Sequence, residues 1–256
     1  MLRLIIAASL SLTPAVLAAP TAVTCDRAFL ETQADAYIAA QATGKVDGLK
    51  ASSSAATYTQ NFKTASLATG ILATPLKIDH NRSTYDTTQC ATFTELIITD
   101  SANSHVIGTQ MRFGTDGALT KMETIVTSTG DWLFNPTNTL KYASQENWTE
   151  IPEDKRDTRA VIQAAADAYL DLFNDKSVKV PWGSPCARLE GGSYIQPSCN
   201  VGVPSGIKNT NRRYVVDEVL GTCDVFFTFG GAEPDSHEFR VENGKIRYVH
   251  TMTVMK

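Results

Sequence analysis

Four residues stand where acid–base chemistry is available: His237, His250, Asp217 and Arg213. Residues flanking Asn243-Gly244 alternate in polarity, and that dipeptide accepts the positive backbone angles of a two-residue hairpin turn. Counting outward from the turn, Glu242 faces Lys245, Val241 faces Ile246, Phe239 faces Tyr248 and His237 faces His250. Residues two apart share a face. Val241, Ile246, Phe239, Tyr248, His237, His250 and Met252 are therefore expected on one mostly apolar, concave side. Two imidazoles with Cβ atoms about 5 Å apart suit proton transfer near neutral pH, because neighbouring rings do not both charge easily and one stays a base. The same pair is also readable as hydrogen-bonded core histidines. Arg213 and Asp217 lie four apart on an expected strand and share a side. Such a pair keeps the carboxylate ionised and orients it toward water or a carbonyl, or it braces a sheet edge. Arg82 and Asp86 repeat the spacing, and the count from Asp116-Gly117 sets Gln110 opposite Glu123. Tyr248, Phe239, Tyr169 and Trp182 are candidate pocket residues, with Trp182 also readable as packing. Arg188 and Glu190 follow Cys186 and precede Gly191-Gly192, which suggests a pinned, glycine-rich lid or rim, or a surface loop with solvated charges.

The elements that must position these residues occur twice. Ala34-Asp35-Ala36-Tyr37 within Leu30–Ala42 reappears as Ala166-Asp167-Ala168-Tyr169 within Ala160–Phe173, both apolar at helical spacing. Asp26 and Asp157 are placed to cap these helices. After each helix comes an irregular stretch and then four strands. They are expected at Arg82–Asp86, Ala91–Thr99, Val106–Phe113 and Leu119–Thr127, then at Arg213–Val219, Asp224–Phe229, His237–Val241 and Ile246–Val254. Helix first and then a curved antiparallel sheet, twice, is an α+β plan. It divides the chain into a leader at 1–18, a first unit at 19–134, a polar, Pro-containing linker at 135–155 and a second unit at 156–256.

Arg156–Leu172, Arg213–Val219 and His237–Met252 together resemble the SnoaL-like / NTF2-like superfamily. Cys25-Asp26-Arg27-Ala28-Phe29, Thr129-Gly130-Asp131-Trp132-Leu133 and Pro181-Trp182-Gly183-Ser184-Pro185-Cys186-Ala187-Arg188-Leu189-Glu190 resemble a group of secreted fungal proteins of unassigned function. The superfamily resemblance implies tandem cones, each a helix pair packed on a curved antiparallel sheet around an internal pocket. It implies no single reaction, because the superfamily holds cyclases, dehydratases, isomerases, epoxide hydrolases and non-catalytic binders.

The 256 residues are 43% hydrophobic and 20% charged, with a net charge of −4. That balance excludes wholesale disorder and argues against a nucleic-acid partner, which needs a basic footprint. Met1–Arg3 followed by the apolar Leu4–Leu17 reads as a signal peptide cut near Ala18, too short for a membrane span. Secretion permits disulfides. Cys186 is paired with Cys199 across a Gly/Ser/Pro-rich loop and Cys25 with Cys90, leaving Cys223 as a buried thiol. Asn81 and Asn147 head glycosylation sequons. Nucleotide fingerprints, a nucleophile elbow and metal-ligand spacings such as His-x-x-x-His or Cys-x-x-Cys are missing from the sequence. The expectation is a secreted enzyme without cofactor or resident metal. It would carry out proton-transfer chemistry (isomerase, dehydratase or cyclase type) on a small hydrophobic organic molecule, with a place in secondary metabolism. The alternative is a non-catalytic secreted binding or interaction protein.

Overall fold

The computed structural model describes residues 22–50 and 56–255, so the leader expected at 1–18 lies outside the described residues. Helix α1 spans Arg27–Thr43. Asp26 caps it by accepting from the Phe29 N–H at 2.9 Å, and Gly44 ends it at φ 68°, a left-handed angle that glycine adopts without strain. Leu30, Ala34, Tyr37 and Ala40 recur every three or four residues and form its buried stripe. Helix α2 spans Pro136–Ala143 and α3 spans Arg159–Asp171. Ile162, Ala165, Ala166, Tyr169 and Leu170 form the buried stripe of α3. Its cap position is Thr158, not Asp157; the Asp157 carboxylate accepts from the Gly244 N–H at 2.8 Å instead.

The strands form two six-stranded sheets. The first contains β1 (Thr57–Gln60), β2 (Lys63–Thr64), β3 (His80–Asp86), β4 (Ala91–Ile98), β5 (His105–Phe113) and β6 (Leu119–Thr127) in the order β2-β1-β6-β5-β4-β3. The second contains β7 (Trp182–Glu190), β8 (Ser193–Ile195), β9 (Thr210–Asp217), β10 (Thr222–Phe229), β11 (Glu233–Glu242) and β12 (Lys245–Thr253) in the order β8-β7-β12-β11-β10-β9. The topologies are identical. Both sheets are mixed, because β1 runs parallel to β6 and β7 parallel to β12. Among the described residues each unit carries one long helix rather than a pair, and α2 lies in the segment between them, so the expected helix pairs on antiparallel sheets are corrected. No helix among the described residues is long and apolar enough to cross a membrane.

Both final hairpins carry a register shift at the equivalent place, between Arg112 and Phe113 and between Arg240 and Val241. In the second, the turn holds as counted: Asn243 and Gly244 both have positive φ, Glu242 pairs with Lys245 and Val241 with Ile246. Arg247 is then the extra residue of a bulge. Beyond it Arg240 faces Tyr248, Glu238 faces His250 and His237 faces Thr251. The expected His237–His250 pairing is therefore wrong. One slipped residue sends the two rings to opposite faces of the sheet.

The units meet through reciprocal ion pairs. Arg27, at the start of α1, donates to both Asp217 oxygens at 3.0 and 2.9 Å. Arg159, at the start of α3, donates to both Asp86 oxygens at 2.7 and 2.8 Å. The Tyr85 N–H donates to Asp217 and the Val216 N–H to Asp86, so each carboxylate also takes a backbone donor from the other unit. An apolar layer including Ala91, Phe93, Ile97, Val215, Phe226 and Met252 fills the seam. Cys25–Cys90 and Cys186–Cys199 are disulfides, and Cys223 is a buried thiol, as the cysteine spacing suggested.

Candidate functional site

The concave face of the second sheet and the buried stripe of α3 enclose a cavity of about 200 Å³. Tyr169 comes from α3 and Phe173 from the turn just after it, Arg188 and Glu190 from β7, Asp235 and His237 from β11, and Thr251 and Thr253 from β12. Residues 235 and 237 reach the same space because a strand returns to one face every second residue. His237 Nδ1 shares a 2.6 Å hydrogen bond with Asp235 Oδ1, and Thr253 Oγ1 donates to Asp235 Oδ2 at 2.6 Å. A carboxylate at Asp235 that accepts from Nδ1–H leaves Nε2 as the ring's lone-pair nitrogen, and the ring lines the cavity. Burial pushes the Asp235 carboxyl above its ordinary range, with the adjoining His237 ring pulling the other way. Tyr169 stands edge-on or tilted against His237, Phe239 and Trp182, with ring centroids 5.3–5.5 Å apart. Its buried hydroxyl has no hydrogen-bond partner among the described residues, and burial raises its pKa. Arg188 pairs closely with Glu190 and donates to the carbonyls of Cys199 and Gly202, so the disulfide-closed loop fixes its orientation.

The first unit has the same frame with different contents. Gln110 faces Glu123 as Glu238 faces His250, which makes Thr109 the counterpart of His237 and Thr124 the counterpart of Thr251. Tyr37, the counterpart of Tyr169, shares a 2.8 Å hydrogen bond with Thr109 Oγ1, and Thr109 shares one of 3.0 Å with Thr124. Gln60 stands where Glu190 does and accepts from the Ile71 N–H, while Leu72 fills the core beside it. Here the polar positions close on one another. In the second unit their counterparts open on a cavity.

Residues 155–253, from the end of the linker through β12, match a family model described as a domain of unknown function, DUF8021. No curated protein matches the chain. The matched segment contains α3 and the whole second sheet, and so almost all of the cavity wall.

Of the residues singled out from sequence, His237, Tyr169, Arg188 and Glu190 line this cavity. Arg188 and Glu190 do so from a strand rather than a rim loop; the stretch that follows Cys199 supplies Pro204 and Ile207 nearby. Phe239 lies in the core beneath, stacked on His237 at 6.0 Å. Trp182 packs against Tyr169 from outside, where a surface groove also holds Pro185, Lys245 and Arg247. Arg213 and Asp217 do not pair with each other. Arg213 Nε reaches Glu123 of the first unit at 2.9 Å, and Asp217 is taken by Arg27. Tyr248 stacks on Trp148 of the linker at 5.4 Å. The sequons are at the surface: Asn81 and Asn147 are both exposed. Sequence reasoning missed Asp235 and Thr253, although Asp235-x-His237 is a same-face spacing that signals a dyad.

His250 sits in the seam, away from the cavity. Its Nδ1 is 3.0 Å from Glu95 Oε1 and its Nε2 is 2.6 Å from Glu146 Oε2. Burial lowers its pKa, but the two carboxylates outweigh that and hold it up to about 9, with Arg82 opposing them. Burial likewise raises Glu95, and Arg82 and His250 overcome it, down to about 2. Glu95, Glu238 and His250 bring three metal-type ligand atoms within 4.8 Å of one another. Arg82 Nη2 occupies the middle of that set, 3.1 Å from Glu95, 3.2 Å from His250 and in close contact with Glu238. The protein thus supplies its own cation there.

Proposed function

We propose that the chain is a secreted, cofactor-independent enzyme whose second unit performs proton-transfer chemistry on a compact, mainly apolar small molecule. His237 serves as the base, Asp235 fixes its tautomer and stabilises the cation that forms, and the Tyr169 hydroxyl and Arg188 orient the substrate's oxygen. One observation carries this reading: at positions duplicated between the units, only the second holds an acid–base dyad facing a cavity. Arg188 is balanced by Glu190 and so is no free cation for an anionic occupant, which favours an uncharged one. The volume lies below the roughly 300–1,000 Å³ of pockets for drug-sized ligands, which favours a small one. The shared strand order, with a helix against each sheet, supports a SnoaL/NTF2-like cone for each unit. The two disulfides and exposed sequons support passage through the secretory pathway.

The test is incubation with small-molecule extracts, followed by mass spectrometry. Substrate and product should differ by nothing, for isomerisation or cyclisation, or by one water, for dehydration. His237→Ala should slow conversion by roughly 10²–10⁴-fold, the usual weight of a general base, and Asp235→Asn should act in the same direction. Conversion that survives His237→Ala in full refutes the assignment. A compound that co-purifies unchanged and stays bound to His237→Ala would make the cavity a binding site.

A further inference from the structure

The cavity wall is not drawn from the second unit alone. Trp132, in the loop that follows β6, also lines it and belongs to the first unit. Burial divides the lining into a floor and a mouth. Tyr169, Asp235, His237, Thr251 and Thr253 are buried, whereas Trp132 and Met255 are 47% and 49% exposed and Pro204 is also exposed. The polar groups thus lie on the floor, with Phe173 among them, and the mouth is apolar.

The loop carrying Trp132 is fastened on both sides. Asp131 accepts from the Ser128 N–H at 2.8 Å and from the Met255 N–H at 2.9 Å. The Trp132 N–H donates to the Thr253 carbonyl at 3.3 Å, and the Gly192 N–H to the Leu133 carbonyl at 2.8 Å. Gly191 and Gly192 make this approach possible. A Cβ on Gly191 would stand 2.5 Å from the Trp132 carbonyl oxygen, and one on Gly192 would stand 2.3 Å from the Asn135 Cβ. An exposed indole on a fixed backbone offers a stacking surface without the cost of ordering a loop.

We propose that Trp132, with Met255 and Pro204, forms a stacking subsite delivered by the first unit to the mouth of the second unit's cavity. The ligand it fits is an uncharged molecule with a compact oxygen-bearing head, which enters beside His237, and a planar apolar ring system, which stays at the mouth on the indole. A macromolecular partner is disfavoured because so few apolar side chains fall far short of a protein interface, and because they continue directly into the cavity. This rests on the reading of the cavity as the ligand site, and it accounts for a pocket that needs both units.

The probe is prodan, an uncharged planar naphthalene ketone whose emission shifts to the blue in apolar surroundings. Titrated into the intact protein, it should shift in that direction and quench tryptophan emission. Trp132→Ala should weaken its binding roughly three- to tenfold, the usual worth of one aromatic stacking contact. Trp132→Phe should retain most of the affinity. Both variants should keep the thermal midpoint, because the side chain is half outside the fold. Wild-type affinity in Trp132→Ala, or no prodan binding to the wild type, overturns the subsite. Turnover is read separately on His237→Ala, so failure of the catalytic reading registers there and failure of the subsite in Trp132→Ala.

Discussion

Raising the pH through the alkaline range will take a proton from His250 and loosen the seam between the units. Both of its ring nitrogens face carboxylates, Glu95 at 3.0 Å and Glu146 at 2.6 Å, so the folded chain holds the imidazolium up to about pH 9. In the unfolded chain the ring titrates near its ordinary value of about 6.5. Each tenfold gain in proton affinity is worth about 1.4 kcal/mol, so the protonated ring contributes on the order of 3 kcal/mol to folding. The group is fully buried, which leaves that figure little reduced by solvent. Because the folded value is the higher one, the contribution is complete below about pH 6.5 and is lost as the pH rises to about 9. Urea unfolding followed by tryptophan fluorescence will show it, since Trp148 stands edge-on to His250 at 5.1 Å. His250→Gln should be less stable at neutral pH and should lack the alkaline decline. If wild type and His250→Gln lose stability in parallel between about pH 6.5 and 9, the proton is not on His250 and the reasoning fails. Glu95 carries the opposite sign: its contribution is present above the ordinary carboxylate range and is lost as the pH falls toward about 2.

Two further outcomes follow from the fold. Arg159→Ala removes the guanidinium from fully buried Asp86 and should cost about 2–4 kcal/mol in denaturant unfolding, somewhat below the figure for a wholly buried pair because Arg159 is partly exposed. Adding Asp86→Asn should then cost much less than it does alone, because the uncompensated charge is already gone. Replacing Cys186 and Cys199 together with serine opens a 13-residue separation and should lower stability by about 3 kcal/mol. It should also weaken prodan binding, since the Arg188 guanidinium donates to the Cys199 carbonyl and the stretch anchored by Cys199 continues to Pro204 and Ile207 in the cavity wall.

The duplicated helix and the last four strands of each unit were legible because their signals are local. Ala-Asp-Ala-Tyr recurs at helical spacing, and the alternating runs stop at Asp116-Gly117 and Asn243-Gly244. The first hairpin of each unit was not, because β1 and β2 are only four and two residues long and β7 contains Pro185, a weak strand former. The site was half legible. His237, Arg188, Glu190 and Tyr169 were found, yet the argument for His237 relied on a partner that faces the other way. In the first unit the count to Gln110 and Glu123 held because two departures cancel: the turn between Gly114 and Ala118 is wider than two residues, and the bulge restores the register. In the second unit the turn is tight, so the bulge at Arg247 stands uncompensated. A bulge depends on twist and packing and leaves little trace in the local pattern. The fate of Arg213 and Asp217 was hidden for another reason: their partners, Glu123 and Arg27, are far away in sequence.

The crossed pairing of Arg27 with Asp217 and Arg159 with Asp86 makes each unit the counterion of the other. Taken alone, the first unit would bury Asp86 without a guanidinium and leave Arg27 without its carboxylate, and the second would have the mirror-image defect. The linker adds its own contacts to the seam, Glu146 on His250 and Trp148 on Arg82, and raises the effective concentration of two surfaces that already fit as plug and socket. A change to either carboxylate would therefore be felt in both units at once, since each also accepts two backbone N–H groups of its own unit.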